Sequence, residues 1–176
     1  AIATQEAVRV VTDYDVDGTT SSLILQSVLA LLGNRKLSYH VPHRMDEGYG
    51  FSLRAAEAAV ADGIHLVVTA DIGVRDHEAV RFAAEHGVDV LILDHHLAPG
   101  QDVPSDALAV LCPPQPRCHY PNRHLAACGV SLKLAAALLE GHPNAAGWID
   151  SLLKLAAIGT VADVVVVGHT DTVGTG

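Results

Sequence analysis

Positive charge is in short supply in this chain. Against 20 Asp and Glu, the 176 residues include only 11 Lys and Arg, a formal net charge of −9. That balance excludes a fold that grips nucleic acid by bulk positive charge alone, so any anionic substrate needs a local cationic site. Long hydrophobic runs are also missing. None approaches the roughly 20 apolar residues needed to cross a bilayer, and Ala1 to Glu6 has no basic stretch leading into an apolar one; a soluble, cytoplasmic protein is the expectation. The three cysteines, Cys112, Cys118 and Cys128, are odd in number and irregular in spacing, which argues against a disulfide framework or a zinc ribbon and for reduced thiols. A zinc site could still be assembled from Cys112, Cys118, His124 and Cys128. There is no Walker A loop, G-x-G-x-x-G or G-x-S-x-G, so nucleotide-cradling and serine-hydrolase readings lack local support. What the chain does have is a hydrophobic fraction of 49%, enough for the core of one ordinary domain. Collagen-like, coiled-coil and disordered readings fall away.

Apolar, β-branched runs recur at Val8 to Thr12, Leu37 to Val41, Ile64 to Thr69, Val88 to Leu93 and Ala107 to Leu111, each reading as a short buried strand. Segments of helical spacing lie between them at Ser21 to Leu32, Leu53 to Ala61 and His77 to His86. This alternation predicts an α/β fold, a mostly parallel five- or six-stranded sheet with helices on both faces. Right-handed crossovers then bring every strand's C-terminal end to one rim. A proline-rich loop (Pro113, Pro114, Pro116, Pro121) precedes two more helices, about Cys128 to Leu139 and Ala145 to Ala162, and the valines 164–167 suit a last strand. The expected domain covers residues 1–168, with 169–176 a tail or the start of a linker, and the whole reads as a fragment of something longer.

On this reading the carboxylates collect at the rim: Asp13, Asp15 and Asp17 after the first strand, Asp71 after the third, Asp94-His95-His96 after the fourth. Acids packed that closely raise each other's pKa, and a divalent cation is the usual remedy. Asp163, set among apolar neighbours, needs a partner if buried, and the same metal would serve. Two other readings stand beside this one. Asp13 to Gly18 matches the start of an EF-hand loop, although the position needing a bidentate Glu is Ile24. The aspartates could also simply cap the following helix. Mixed carboxylate and imidazole ligands without thiolate suit manganese or magnesium. Two such ions about 3.5–4 Å apart are the standard apparatus for hydrolysing phosphate esters. Cationic help is available from His43 and Arg44 after the second strand, where Arg44 could clamp a phosphate. A second patch, Arg117, His119, Tyr120, Arg123 and His124, offers Tyr120 as a surface on which a base could stack; either group could equally be ordinary surface.

With those residues in place the chain resembles the DHH phosphoesterase superfamily and, within it, the bacterial RecJ single-strand-specific exonucleases. The resemblance rests on Asp13-Tyr14-Asp15-Val16-Asp17-Gly18-Thr19-Thr20-Ser21, Pro42 to Gly50, Asp71-Ile72-Gly73, Asp94-His95-His96 and Gly159-Thr160-Val161-Ala162-Asp163-Val164. Pro113 to Pro121 and Leu125 to Val130 resemble a RecJ-specific stretch. The resemblance implies two Mn2+ or Mg2+ ions, with Asp71 bridging them, Asp15 on one and Asp17, His95 and Asp163 on the other. Asp13, standing where many relatives carry a histidine, would complete the first ion's shell directly or through water. His96 would face the scissile phosphate and Asp94 would orient the histidines. The implied catalytic residues are therefore His96, Asp94 and Asp71, with His43, Arg44, Arg117, Tyr120 and Arg123 contacting substrate. The implied chemistry is removal of nucleotides from the 5′ end of single-stranded DNA, 5′ to 3′, in repair and recombination. The implied partners are a second domain closing over the site and other repair proteins. Activity weakened by the shortness of the chain is also expected. The alternatives are a small-nucleotide phosphatase, phosphodiesterase or pyrophosphatase of the same superfamily, and a non-catalytic DNA-binding relative.

Overall fold

The computed structural model describes residues 1–42, 49–97, 102–116 and 118–165. Five strands, β1 (Val8–Thr12), β2 (Leu37–His40), β3 (Leu66–Ala70), β4 (Asp89–Leu93) and β5 (Ala109–Leu111), form one sheet in the order β2-β1-β3-β4-β5. Every pairing is parallel. Five helices accompany them: α1 (Val16–Leu31), α2 (Leu53–Ala61), α3 (His77–Glu85), α4 (Ala127–Leu138) and α5 (Ala145–Ala162).

Strand side chains alternate between two cores, which is why the central strand β3 and its neighbours β1 and β4 are mostly apolar. Val11, Val67, Val90 and Ile92 pack with α2 and α3, through Ala55, Ala56, Ala59, Ala79, Val80 and Ala83. Val8, Val10, Val68, Ala70 and Leu93 pack on the opposite face with α1, α4 and α5. Placing α1 on one face and α2 and α3 on the other is what right-handed crossovers require once the chain steps from β1 out to β2 and back past β1 to β3. The strand order therefore reverses direction between β1 and β3. Such switch points open a crevice at the strands' C-terminal ends, and Asp13 and Asp71 follow those two strands.

The predicted fold class holds, with five strands among the described residues. Two boundaries differ from expectation. Helix α1 begins at Val16 rather than Ser21, because Asp15 Oδ1 accepts the Gly18 N–H at 2.8 Å and caps the helix. The valines after Asp163 do not begin a strand: Val164 is a turn residue at φ 56 and is exposed, Val165 lies outside any strand, and 166–167 fall outside the described residues.

Helix α5 also qualifies the expectation about apolar runs. Its 18 residues, mean hydropathy 1.3, are long and apolar enough to cross a membrane by length and composition. In this fold it packs on α1 and α4 through Leu152, Ala156 and Gly159, with Leu153, Ile158 and Val161 exposed on its outer side.

Candidate metal centre

Six of the predicted ligands meet at the rim. Ligand atoms of Asp13, Asp15 and Asp71 lie within 4.8 Å of one another, as do those of Asp17, His95 and Asp163, and those of Asp71, His95 and His96. Asp71 and His95 thus join the groups. His95 Nε2 stands 3.2 Å from Asp71 Oδ1, 3.6 Å from Asp163 Oδ2 and 3.7 Å from Asp17 Oδ2.

Each aspartate of the Asp13-x-Asp15-x-Asp17 run has a separate use. Asp13 Oδ1 accepts the Tyr14 N–H at 2.8 Å, and Asp15 caps α1 while remaining exposed. Asp17, in the first turn of α1, reaches across to α4, where its two oxygens accept the Ala127 and Cys128 N–H groups at 2.7 and 2.8 Å. The N-terminus of α4 has no side-chain cap of its own, so Asp17 supplies one from another helix. The capping alternative therefore describes part of what the acids do. The calcium-loop alternative fails because β1 precedes the run and Ile24 is fully buried in the core.

Asp71 is under the most stress. It sits at φ 68, in the left-handed region that is uncommon outside glycine and that aspartate tolerates better than most residues. Its N–H donates to the Leu93 carbonyl at 2.9 Å, and Tyr49 Oη donates to its own carbonyl at 3.2 Å. Burial and then the charges of Asp17 and Asp15 push its carboxyl up to about 10. Its Oδ2 is buried without a hydrogen-bond partner among the described residues. An orphaned carboxylate oxygen facing other carboxylates is what a bound cation would satisfy. The donor set fits a hard divalent ion: carboxylates and imidazoles only, with the nearby Cys128 Sγ engaged by the Ala156 carbonyl at 3.2 Å.

Asp163 reaches the centre because α5 crosses α1 and α4 closely at Gly159. A Cβ there would stand 2.7 Å from Cys128 Sγ and 3.1 Å from Asp17 Oδ1, closer than packed atoms tolerate. Burial raises the Asp163 carboxyl, with Asp17 and Asp15 adding to the rise and His95 and His96 opposing it.

Asp94 is the orienting group, but for one histidine ring rather than both. Its Oδ1 accepts the His95 N–H at 2.7 Å, the His96 N–H at 3.1 Å and His96 Nδ1 at 2.9 Å; its Oδ2 accepts the Val74 N–H at 3.1 Å. Burial pushes its carboxyl upward, and those bonds outweigh burial to hold it below the ordinary range. The Asp94 bond in turn raises the His96 imidazole.

Of the predicted substrate contacts, two fall among the described residues. His43, Arg44 and Arg117 lie outside the described residues. Tyr120 borders a cavity of about 170 Å³ with Cys112, Leu125 and Lys133. Arg123 is exposed and bonds the proline-rich loop, its Nη2 donating to the Pro114 and Gln115 carbonyls at 2.5 and 3.0 Å. The zinc alternative is excluded because Cys112 and Cys128 are buried in the two cores on opposite faces of the sheet.

Sequence reasoning missed the supports around the centre. Arg75 Nη2 donates to the His96 carbonyl at 2.6 Å. Asp76, which reads as an ordinary cap for α3, makes no cap bond and instead accepts the Phe51 N–H at 2.7 Å. Nothing in the local sequence distinguishes that acceptor from a cap.

Known proteins resemble this chain in sequence and fold. The chain is 41% identical over 165 residues to the single-stranded-DNA-specific exonuclease RecJ of Bacillus subtilis (strain 168), covering 94% of this chain and 20% of that protein. It is 37% identical over 172 residues to the protein of the same name from Haemophilus influenzae, covering 92% and 29%. A crystal structure of exonuclease RecJ bound to manganese superposes with a TM-score of 0.78 at 33% identity, over 93% of this chain and 40% of that one. The chain thus spans less than a third of the length of these two sequence relatives. The family profile described as the DHH family, N-terminal domain, matches residues 7–160, and the chain belongs to the DHH family.

Proposed function

We propose that this chain is the catalytic domain of a metal-dependent, single-stranded-DNA-specific exonuclease working 5′ to 3′ in repair and recombination. The observation that carries the reading is the convergence of Asp13, Asp15 and Asp71 beside Asp17, His95 and Asp163, with Asp71 Oδ2 left orphaned. The similarity to RecJ proteins supports the choice of substrate.

In this reading the site would hold two ions, Mn2+ or Mg2+, with Asp71 serving both. Asp15 and Asp13 complete one set, and Asp17, His95 and Asp163 the other. Bound there, such ions supply neutralisation of charge on the phosphoryl group and activation of water. The protein's own residues do the rest. His96, with Nδ1 on Asp94, keeps Nε2 for the phosphate, and the Asp94 bond favours the protonated imidazole that an anion requires. Asp94 fixes the tautomer and the ring plane. His43, Arg44, Arg117, Tyr120 and Arg123 contact the strand, Arg123 through the guanidinium donors not used on the loop that carries Tyr120. Residues 1–168 form the domain and 169–176 a tail or linker. The expected partners are single-stranded DNA, a second domain that closes the site, and other repair proteins; the expected location is cytoplasmic, without a membrane partner.

The test offers labelled single-stranded DNA, duplex DNA, dinucleotides and pyrophosphate separately, each with manganese. Release of mononucleotides from single strands, with duplex and pyrophosphate left intact, is expected. Preferential hydrolysis of dinucleotides or pyrophosphate would overturn the reading in favour of a small-molecule phosphoesterase.

A further inference from the structure

We infer that Asp76 is a positioning residue for the metal centre: it anchors the turn at 49–51, through which Tyr49 clamps the backbone of Asp71 and flanks His96. The inference deepens the hydrolytic reading above and rests on it for the kinetic part of its test.

Asp76 occupies the N-cap position of α3, where an aspartate ordinarily accepts an N–H of its own helix. Here the carboxylate gives up that bond. Its Oδ2 accepts the Phe51 N–H at 2.7 Å, and Gly50, at φ 97, lies so close that a Cβ would sit 2.7 Å from Asp76 Oδ1. Only glycine serves at that position, for both the conformation and the approach. The acid is thus committed to a segment 25 residues away in the chain.

The segment it holds bears directly on the reaction centre. Tyr49 Oη donates to the Asp71 carbonyl at 3.2 Å, and the Tyr49 ring meets the His96 imidazole edge-on, centroids 6.3 Å apart at 84°. Asp71 holds a left-handed conformation, and its backbone is tied on both sides. The Leu93 carbonyl takes its N–H, and Tyr49 secures its carbonyl. Release of the 49–51 turn would free that carbonyl, allow Asp71 to relax, and turn its carboxylate away from Asp15 and His95. His96 would lose its flanking wall at the same time.

The test compares Asp76→Ala, Asp76→Asn and Tyr49→Phe in the full chain, reading Mn2+ affinity by electron paramagnetic resonance and kcat and KM on single-stranded DNA. Asp76→Ala and Tyr49→Phe are expected to weaken Mn2+ binding by about 10-fold and to lower kcat more than they raise KM, within the roughly 10- to 100-fold range of supports one bond removed from a metal ligand. Asp76→Asn keeps an oxygen acceptor for the Phe51 N–H and should recover to within about threefold of the parent, well inside that range. If Asp76→Ala does not fold, Tyr49→Phe, which removes only a half-exposed hydroxyl, decides the matter. Parent-like Mn2+ affinity in Tyr49→Phe, or an Asp76→Asn variant as impaired as Asp76→Ala, would overturn the inference. A parent that binds Mn2+ yet hydrolyses no DNA would refute the hydrolytic reading alone, since the affinity comparison still judges the positioning role.

Discussion

The two halves of the metal centre are held in opposite ways. The Asp17, His95 and Asp163 half is built into the helical layer. Asp17 has both oxygens on N–H donors of α4, and Gly159 lets α5 approach until Asp163 faces His95. The Asp13, Asp15 and Asp71 half hangs on the strand ends, and its central residue combines a left-handed backbone, a buried orphan oxygen and two acidic neighbours. In the first half the protein alone satisfies both oxygens of Asp17. The second half is complete only with a cation, so removal of metal should be felt there first.

The largest expected contrast is therefore one of sign. In the metal-free protein, Asp17→Ala leaves two buried N–H groups of α4 without acceptors and should cost about 2–4 kcal/mol. Asp71→Asn replaces a carboxyl that must take up a proton to fold, keeps a residue tolerant of positive φ, and should stabilise by about 1–2 kcal/mol. Urea unfolding of both variants in chelator measures the pair. Destabilisation by Asp71→Asn as large as that by Asp17→Ala would abolish the distinction between the halves.

A smaller effect sharpens the same contrast through pH. The folded Asp71 carboxyl lies near 10, above its ordinary value of 3.8, so the native state holds a proton that the unfolded chain releases. Its contribution to stability is fully present below the unfolded value and is lost as pH rises toward the folded one. Asp163 and His96 are also raised and act in the same direction, while Asp94 is lowered and acts oppositely, below the usual carboxylate range. The metal-free protein should thus lose stability from pH 5 to pH 9, and saturating Mn2+ should flatten or reverse that slope by replacing the proton. Parallel slopes with and without Mn2+ would show that the ion does not bind at Asp71.

The sheet, its direction and the rim were legible because fully buried parallel strands are apolar on both sides and the acids follow them directly. The start of α1 was not, because Asp, Gly and Thr are poor helix formers and only the Asp15 cap and the packing of α1 carry the helix back to Val16. The six candidate ligands that converge at the rim could be picked out from the sequence, since metal chemistry restricts the residue types. Their supports could not. Asp76 resembles any N-cap, and Gly159 any small helical residue, until another element is seen against it. Nor could the bonds from Arg123 to the Pro114 and Gln115 carbonyls be read, because guanidinium chemistry is the same whether its partner is a phosphate or a loop carbonyl.

The central claim is that Asp71 joins two ligand sets into one divalent-metal centre. Mn2+ titration of the parent chain and of Asp71→Asn, followed by electron paramagnetic resonance, tests it most directly. The account predicts saturation at two ions per chain with a spin-coupled signal in the parent, and loss of both the coupling and the tight binding in Asp71→Asn. Identical titrations for the two proteins would contradict it.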